Sequence, residues 1–239
     1  MKEEVLMPFR PATRPQKLNV ALFGPSGAGK TYTALGLAHQ FGSRVAGIET
    51  EHESSALYAA RFPHDLAALA PPFHPERYRA LLEEAAAAAY DVVIIDSLSP
   101  EWDGPGGCLA LAAEVEKRQR TPNRFTAWAD VTPRHDALFS TINRVPCSVI
   151  ATFRAKPAYD LVKDDHGKSK PVRRALPGLI GREEGAGFEW DLLAVLDEHH
   201  RATPVKSRFP HLRVGESRPV DAAWLAELAA PLTTPAPVL

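Results

Sequence analysis

The chain has 239 residues and a formal net charge of -1, with 45% hydrophobic and 24% charged residues. These proportions are those of a globular protein, and they exclude a disordered chain. The length favours one main α/β domain over two full domains. Because the charge is close to zero, no global field attracts the chain to nucleic acid or lipid, so an anionic polymer would have to bind a local patch.

The cysteine usage and the apolar runs predict a cytoplasmic protein with no membrane partner. Cys108 and Cys147 stand in no Cys-x-x-Cys or Cys/His ligand spacing, so we expect reduced, partly buried thiols. No run approaches the roughly 20 apolar residues of a membrane-spanning helix, and no signal peptide is expected. Residues 1–17, which are rich in proline, are predicted to form an extended arm.

The first half of the chain alternates between strand and helix patterns. Short apolar runs are typical of buried parallel strands, and helical spacing separates them. Three strand–helix units indicate a doubly wound, mainly parallel twisted sheet with helices on both faces. The predicted elements are strands at 18–23, 44–49 and 91–96, and helices at 30–41, 57–62 and 76–89.

The second half predicts helices, a mobile region and two late strands joined by a turn. Residues 154–187 are basic and rich in glycine and proline, and Asp165-His166-Gly167-Lys168 is predicted at a hairpin tip. The predicted domain organisation of the chain is an N-terminal arm (1–17), an α/β core (18–215) and a C-terminal helix with a disordered tail (216–239). The predicted elements are a loop at 97–107, helices at about 108–118, 133–145 and 220–230, strands at 147–153, 189–197 and 204–209, and a tail at 231–239.

The first strand runs directly into a GxxxxGKT motif. Glycines let the backbone N–H groups surround an anion, and the following helix directs its positive dipole end at the same anion. In such a motif the lysine reaches the β and γ phosphates and the threonine hydroxyl takes one position on Mg²⁺. The predicted nucleotide-binding residues are Gly24, Pro25, Ser26, Gly27, Ala28, Gly29, Lys30 and Thr31.

Acidic residues end the other two predicted strands. Asp96 closes the apolar run VVIID, where a carboxylate is suited to hold Mg²⁺ beside Thr31. Glu49, Glu51 and Glu53 follow the second strand and could orient an attacking water. Spacing does not choose among these glutamates, and a loop of exposed glutamates with no chemical role is the alternative.

Three motifs together resemble those of RecA-type recombinase and strand-annealing ATPases. GPSGAGKT, IETEH and YDVVIIDS occur in that order, and the resemblance extends from Leu18 to about Arg208. Within it, TAWADVTPRHDALFSTINRVPCSVIATFRAK followed by FEWDLLAVLDEHH is similar to the AAA-labelled nucleotide-binding proteins of phages and prophages, a RecA-like group. The resemblance implies a RecA-like P-loop fold, ATP and Mg²⁺ as ligands, and ATP hydrolysis.

The resemblance also implies roles for particular residues. In RecA-type enzymes the glutamate of a D-x-E-H stretch activates water, which selects Glu51, although Glu49 stands where that pattern often has aspartate. A nucleotide sensor is expected where the strand ends at 152–154, and Arg154 is the expected residue because a guanidinium can bridge phosphate and loop. Lys206 and Arg208 resemble the Lys-x-Arg pair that completes a neighbouring subunit's site. Two solvated surface cations are the alternative.

Residues 154–174 hold seven cations and three acids, a local charge of +4 in a nearly neutral chain. Such a concentration favours contact with a phosphate backbone, and an aromatic side chain within it could stack on a base. A hairpin kept soluble by its charge is the alternative. With Arg154, the candidate DNA-binding residues are Lys156, Tyr159, Lys163, Lys168, Lys170, Arg173 and Arg174.

The function predicted from these features is DNA-stimulated ATP hydrolysis in phage-type recombination, annealing or replication. The expected partners are single-stranded DNA, further copies of the chain in a ring or filament, and a phage or host single-strand-binding protein. A nucleotide switch with slow hydrolysis and a small-molecule kinase are the alternatives. A kinase would need a lid with arginines and an acceptor pocket, whereas IETEH and the late Lys-x-Arg favour water as the acceptor.

Overall fold

The computed structural model describes residues 17–51, 54–156, 159–163, 169–173, 178–179 and 190–233. The predicted N-terminal arm therefore lies outside the described residues except for Lys17. The Lys17 ammonium donates hydrogen bonds to the carbonyls of Asn143 and Val145 at 2.7 and 2.6 Å. The start of the described chain is thus fastened to the end of a long helix.

A parallel α/β succession occupies most of the described chain. The strands are β1 (Asn19–Gly24), β2 (Val45–Glu49), β3 (Asp65–Ala68), β4 (Val92–Asp96), β5 (Ser148–Lys156), β6 (Tyr159–Lys163), β7 (Ser169–Arg173), β8 (Gly178–Leu179), β9 (Leu192–Leu196), β10 (Arg201–Ser207) and β11 (Arg218–Pro219). The helices are α1 (Lys30–Phe41), a 3₁₀ helix (Ser54–Tyr58), α2 (Pro75–Ala87), α3 (Ser99–Asp103), α4 (Cys108–Arg118), α5 (Arg124–Arg144) and α6 (Ala222–Thr233).

The main sheet has the strand order β11-β10-β9-β1-β5-β4-β2-β3, and β8 pairs with the end of β5. From β9 to β3 the neighbouring strands are parallel, whereas β10 and β11 are antiparallel additions at one edge. The prediction of a mainly parallel sheet with late antiparallel strands is confirmed. Because β1, β4 and β5 are adjacent, their carboxyl ends bring separate parts of the chain to one edge.

Helices cover both faces of this sheet, as the apolar runs predict. In β1, Val20 and Leu22 pack into one core with helices α1 and α6, while Ala21 and Phe23 pack into the other with α2 and α5. Strands whose side chains are buried on both faces lose the polar alternation of a half-exposed strand. This burial explains why the strand runs are continuously apolar.

Two helix predictions are corrected. Helix α5 begins at Arg124 rather than near residue 133, and Pro133 lies inside it. The Asn123 side chain caps its start by accepting a hydrogen bond from the N–H of Phe125 at 2.9 Å, so the capping signal precedes the proline. The predicted loop at 97–107 contains the short helix α3.

The edge elements also differ from the predictions. The short edge strand β3 was not predicted, and β10 occupies Arg201–Ser207, so the turn before it is tighter than expected. Helix α6 continues to Thr233, which corrects the predicted disorder of residues 231–233. Strands β6 and β7 pair antiparallel, as the predicted hairpin requires, while its tip lies outside the described residues. Among the described helices, none is both long and apolar enough to cross a membrane.

Candidate functional site

The GxxxxGKT segment connects β1 to α1 at the carboxyl edge of the sheet. Gly27 and Gly29 have φ angles of 81° and 82°, in the left-handed region that favours glycine. Gly29 is also the N-cap of α1, so the free N–H groups at the start of the helix face the loop. The segment thus has the backbone form of an anion-binding cradle.

Lys30 and Thr31 extend from the first turn of α1 into this cradle. The Lys30 ammonium donates to the carbonyl of Pro25 at 2.9 Å, and the Thr31 hydroxyl donates to Asp96 Oδ2 at 2.6 Å. Burial lowers the pKa of Lys30, and the charges of Glu51 and Asp96 oppose that shift. The Lys30 ammonium is therefore partly desolvated, which strengthens its attraction for a phosphate.

Asp96 is 3% exposed and accepts hydrogen bonds from side chains on helix α1 and strand β5. The hydroxyl of Thr152, on β5, donates to Asp96 Oδ1, so both carboxylate oxygens accept a threonine hydrogen bond. Burial raises the pKa of Asp96, while the bonds from Thr152 and Thr31 oppose the shift. Thr152 belongs to the strand end where a sensor was predicted, but sequence reasoning did not identify its bond to Asp96.

Glu51 and Arg154 meet across the mouth of the site. Arg154 Nε donates to Glu51 Oε1 at 2.9 Å, and Ser97 Oγ donates to the same oxygen at 3.3 Å. The Arg154 backbone N–H is in turn bonded to Ser99 Oγ at 2.8 Å. The two residues that the resemblance selected, the predicted water-activating glutamate and the predicted sensor, are therefore in direct contact.

Glu49 occupies a different environment from Glu51. It is 3% exposed, and its Oε1 accepts from the N–H of Ser55 at 2.6 Å and from Ser54 Oγ at 3.2 Å. Its Oε2 is buried without a hydrogen-bond partner among the described residues, and burial raises its pKa. Glu49 is not among the residues lining the main cleft, whereas Glu51 is. Glu53 lies outside the described residues.

The cradle opens into a cleft of about 1080 Å³, which is large enough for a nucleotide. The lining residues that the sequence did not predict are Tyr32, Thr33, Ser54, Tyr58, Asp103, Ala155, His200 and Val220. A Cβ on Gly29 would lie 3.1 Å from His200 Nδ1, so this ring covers one side of the loop. The sequence predicts a turn near residue 200, but it does not predict that β9, which leads into this turn, pairs with β1. The position of His200 beside the loop therefore could not be predicted from the sequence.

Thr31 and Asp96 fit a magnesium ion by their donor chemistry. The two oxygens are 2.6 Å apart, close to the roughly 2.9 Å between adjacent ligands of an octahedral ion with bonds of about 2.0–2.1 Å. Oxygen donors are those that Mg²⁺ prefers. These residues are therefore able to hold Mg²⁺ beside bound phosphates.

Lys206 and Arg208 lie near the amino-terminal end of β9, whereas the cradle lies at the carboxyl ends of the parallel strands. Lys206 Nζ donates to the carbonyl of Trp190 at 2.7 Å, and Arg208 donates to Asp191 Oδ1 at 3.0 Å. These two cations therefore do not reach the cleft of their own chain. Their assignment to a neighbour's site stays a prediction.

The basic segment is described only in part. The backbones of Lys156, at the end of β5, and of Tyr159, Lys163, Lys170 and Arg173, on β6 and β7, are described. Their side chains, together with Lys168 and Arg174, lie outside the described residues. The assignment of these residues to DNA binding therefore stays a prediction.

The mainly parallel sheet with helices on both faces, the glycine cradle and the adjacent acidic strand end define a P-loop nucleotide-binding protein. The chain belongs to the AAA domain family, whose sequence model matches residues 16–175. This family assignment supports a P-loop ATPase and does not distinguish the phage group. Among curated proteins, none matches the chain.

Solved structures with similar folds include a recombinase and two secretion ATPases. The RadB recombinase is 17% identical over 85% of this chain and 86% of its own, with a TM-score of 0.48. An ATPase from the type III secretion system of pathogenic bacteria is 15% identical over 96% and 75%, with a TM-score of 0.42. EscN, from the enteropathogenic E. coli type III secretion system, is 14% identical over 96% and 63%, with a TM-score of 0.43.

Proposed function

We propose that the protein hydrolyses ATP in a Mg²⁺-dependent reaction and couples hydrolysis to binding of single-stranded DNA, in phage-type recombination, annealing or replication. The observation that carries the hydrolytic part is the position of Glu51 in the same cleft as Lys30 and Thr31. A carboxylate at the mouth of a phosphate cradle can orient water toward the terminal phosphate. Water is then the acceptor, as in an ATPase.

Each residue of the cleft has a distinct part in this reaction. The backbone of the cradle and Lys30 bind the phosphates, while Thr31 and Asp96 would hold Mg²⁺. Bound Mg²⁺ supplies positive charge to the phosphate oxygens. Glu51 accepts a proton from the attacking water, and Arg154 holds Glu51 at the edge of the site.

Strand β5 supports the coupling to DNA. Thr152 of this strand bonds to Asp96, and Arg154, two residues later, bonds to Glu51. The strand then ends at Lys156, directly before the β6–β7 hairpin that carries most of the basic segment. A change in the groups around the phosphates is thus transmitted along one strand to the candidate DNA-binding hairpin.

We further propose that copies of the chain associate so that Lys206 and Arg208 complete a neighbour's cleft. Among the described residues lining the cleft, the Lys and Arg cations are Lys30 and Arg154. Additional cations from a second subunit would stabilise the charge that develops on the terminal phosphate. Hydrolysis would then depend on assembly.

The hydrolytic proposal is tested by phosphate release with ATP, Mg²⁺ and no added acceptor. We expect turnover by the wild type and loss of ATP binding in Lys30→Ala. ATP binding without phosphate release, with or without DNA, would contradict hydrolysis and favour the nucleotide switch. Turnover that requires an added small molecule would instead favour a kinase.

The DNA proposal has a separate test, which is the affinity for a fluorescent single-stranded oligonucleotide at several salt concentrations. We expect ATP-dependent binding that weakens as salt rises, because binding releases counterions from the phosphates. Replacing Lys163, Lys168, Lys170 and Arg173 by alanine should abolish this binding and the stimulation of ATP turnover. Unchanged affinity in that variant, with ATP turnover intact, would refute DNA binding through this hairpin.

Association is tested by mixing two inactive variants. Glu51→Gln lacks the base, and the double variant Lys206→Ala/Arg208→Ala lacks the cations supplied to a neighbour. In a mixed assembly the intact cleft of the second variant meets the intact cations of the first, so activity should return. Full activity of the double variant alone, or no recovery on mixing at concentrations where mass measurements show mixed assemblies, would contradict the proposal.

A further inference from the structure

A second polar cluster lies in the core, apart from the nucleotide cleft. Glu101 comes from α3, Cys108 is the first residue of α4 and His135 lies within α5. Their exposed fractions are 2%, 0% and 8%, so all three are buried. One ligand atom from each lies within 4.8 Å of the others. Three helices thus place a carboxylate, a thiol and an imidazole together in an apolar region.

The distances within this cluster are close to those of a tetrahedral metal site. Cys108 Sγ is 3.1 Å from Glu101 Oε1 and 3.9 Å from His135 Nδ1, and that nitrogen is 3.0 Å from Glu101 Oε1. Zinc bonds of about 2.3 Å to sulfur and 2.0–2.2 Å to nitrogen and oxygen separate adjacent ligands by roughly 3.4–3.6 Å. Each observed separation differs from these values by only about half an ångström.

The arrangement does not suit a nucleophilic triad. In a triad the imidazole uses one nitrogen for the nucleophile and the other for the carboxylate. Here His135 Nδ1 faces both Cys108 Sγ and the Glu101 carboxylate. A single nitrogen directed at the centre of the cluster, with a sulfur and an oxygen beside it, is the geometry of ligands around one cation.

The donor set selects the class of metal. Thiolate and imidazole ligands favour zinc over Mg²⁺ or Ca²⁺, which prefer oxygen donors alone. Among the described residues, Glu101 has no ion pair with a lysine or arginine, and the basic group beside it is the His135 imidazole. A bound cation would compensate the charge of this buried carboxylate.

Aromatic residues surround the cluster. The Trp102 ring packs edge-on to His135 with centroids 5.5 Å apart and stacks on Trp128 at 5.3 Å, while Phe139 lies 4.6 Å from His135. These rings fix the orientation of the imidazole and limit access of solvent.

We propose that Glu101, Cys108 and His135 bind a zinc-class transition-metal ion through one carboxylate oxygen, one thiolate and one imidazole nitrogen. Three protein ligands leave a fourth tetrahedral position for water. The ion joins α3, α4 and α5, and α3 begins three residues after Asp96, the last residue of β4. Binding displaces the Cys108 thiol proton to solvent and stabilises the folded state by an amount that grows with the logarithm of the metal concentration above Kd.

The test uses cobalt as a spectroscopic substitute for zinc. Protein freed of metal by a chelator is titrated with Co²⁺ in excess Mg²⁺, which saturates oxygen-donor sites. One equivalent should give the visible bands of tetrahedral cobalt and a thiolate-to-cobalt charge-transfer band, and Zn²⁺ should abolish both. Cys108→Ser should lose the charge-transfer band, whereas Cys147→Ser, which alters the other buried thiol, should retain it.

A second measurement is the affinity for Zn²⁺ against a chromophoric chelator. Cys108→Ser and His135→Gln should each weaken binding by about tenfold or more, while Cys147→Ser leaves it unchanged. Circular dichroism of the metal-free variants checks that they fold. No charge-transfer band in the wild type, or equal zinc affinity in folded Cys108→Ser and Cys147→Ser, would overturn the proposal and leave the cluster as a hydrogen-bonded part of the core.

Discussion

Arg154 donates a hydrogen bond to Glu51 across the mouth of the nucleotide cleft, at a distance of 2.9 Å. The two side chains are about half and one third exposed, so the pair is accessible to a ligand entering the cleft. Glu51 is the proposed base for water and Arg154 is the proposed sensor. Their contact means that the orientation of the base depends on a residue of β5, the strand that leads to the basic hairpin.

Replacing Glu51 by Gln should lower ATP turnover by about a hundred- to ten-thousand-fold, because the amide accepts no proton from water. ATP affinity should stay close to that of the wild type, because the cradle is unchanged. Phosphate release and binding of a fluorescent ATP analogue measure the two effects. Glu49→Gln is the comparison and should keep turnover. The reverse result would identify Glu49 as the base.

Replacing Arg154 by alanine should reduce turnover by about a hundredfold, because it removes a charged donor from the cleft and releases Glu51. Arg154→Lys should be intermediate, since an ammonium keeps the charge but lacks the planar guanidinium. Steady-state kcat and the equilibrium affinity for ATP should be measured for both. An unchanged kcat in Arg154→Ala would exclude the sensor role.

Thr152→Val removes one of the two hydroxyl groups that bond to the buried Asp96 carboxylate. The free energy of unfolding should fall by about 1–3 kcal/mol, because a buried oxygen loses its partner. Urea denaturation measures this change. Thr141→Val is the control, because Thr141 is also buried but its hydroxyl donates to the Ala137 carbonyl and accepts from Arg144, both in its own helix. Equal losses in the two variants would show that the bond to Asp96 has no special contribution.

Gly27 and Gly29 separate backbone strain from crowding. Both have positive φ, but a Cβ on Gly27 has no neighbour within 4 Å, whereas one on Gly29 meets His200 at 3.1 Å. Without nucleotide, Gly27→Ala should cost about 1–2 kcal/mol of unfolding free energy, and Gly29→Ala should cost more. Adding His200→Ala should recover part of the Gly29→Ala loss, with a coupling of about 0.5–3 kcal/mol. If the losses of unfolding free energy in Gly29→Ala and His200→Ala simply add in the double variant, the His200 ring does not contact the loop.

Glu49 should make stability depend on pH. Burial raises the pKa of Glu49 in the folded protein above its ordinary value of 4.5. Below pH 4.5 the carboxyl is protonated in both the folded and the unfolded state, so it does not lower the free energy of unfolding. As pH rises from 4.5 through the raised pKa, the folded state is destabilised. Glu49→Gln should therefore gain stability relative to the wild type over this interval in urea titrations, whereas exposed Glu198→Gln should not. A constant difference between pH 4 and 8 would contradict the shift.

The cradle and the central strands were predictable because their signals are local. Residues 24–31 carry both the glycines and the lysine of an anion site, and strands buried on both faces are continuously apolar. Asp96 was assigned for the same reason, since it directly ends such a run. Helix α5 was predicted too short because Pro133 resembles a start signal, whereas the local cap at Asn123 begins the helix nine residues earlier.

Contacts between distant residues were decided only by the tertiary structure. Arg154 and Glu51 are 103 residues apart, and Thr152 and Asp96 are 56 apart, yet the order of β1, β5 and β4 brings their strand ends together. The resemblance selected Glu51, and the tertiary structure adds that Glu51 lines the cleft whereas Glu49 is buried away from it, which spacing does not reveal. The sequence by itself predicted a phosphate cradle at residues 24–31, because eight consecutive residues carry the whole motif. The packing of parallel strands determined which acid and which cation face it.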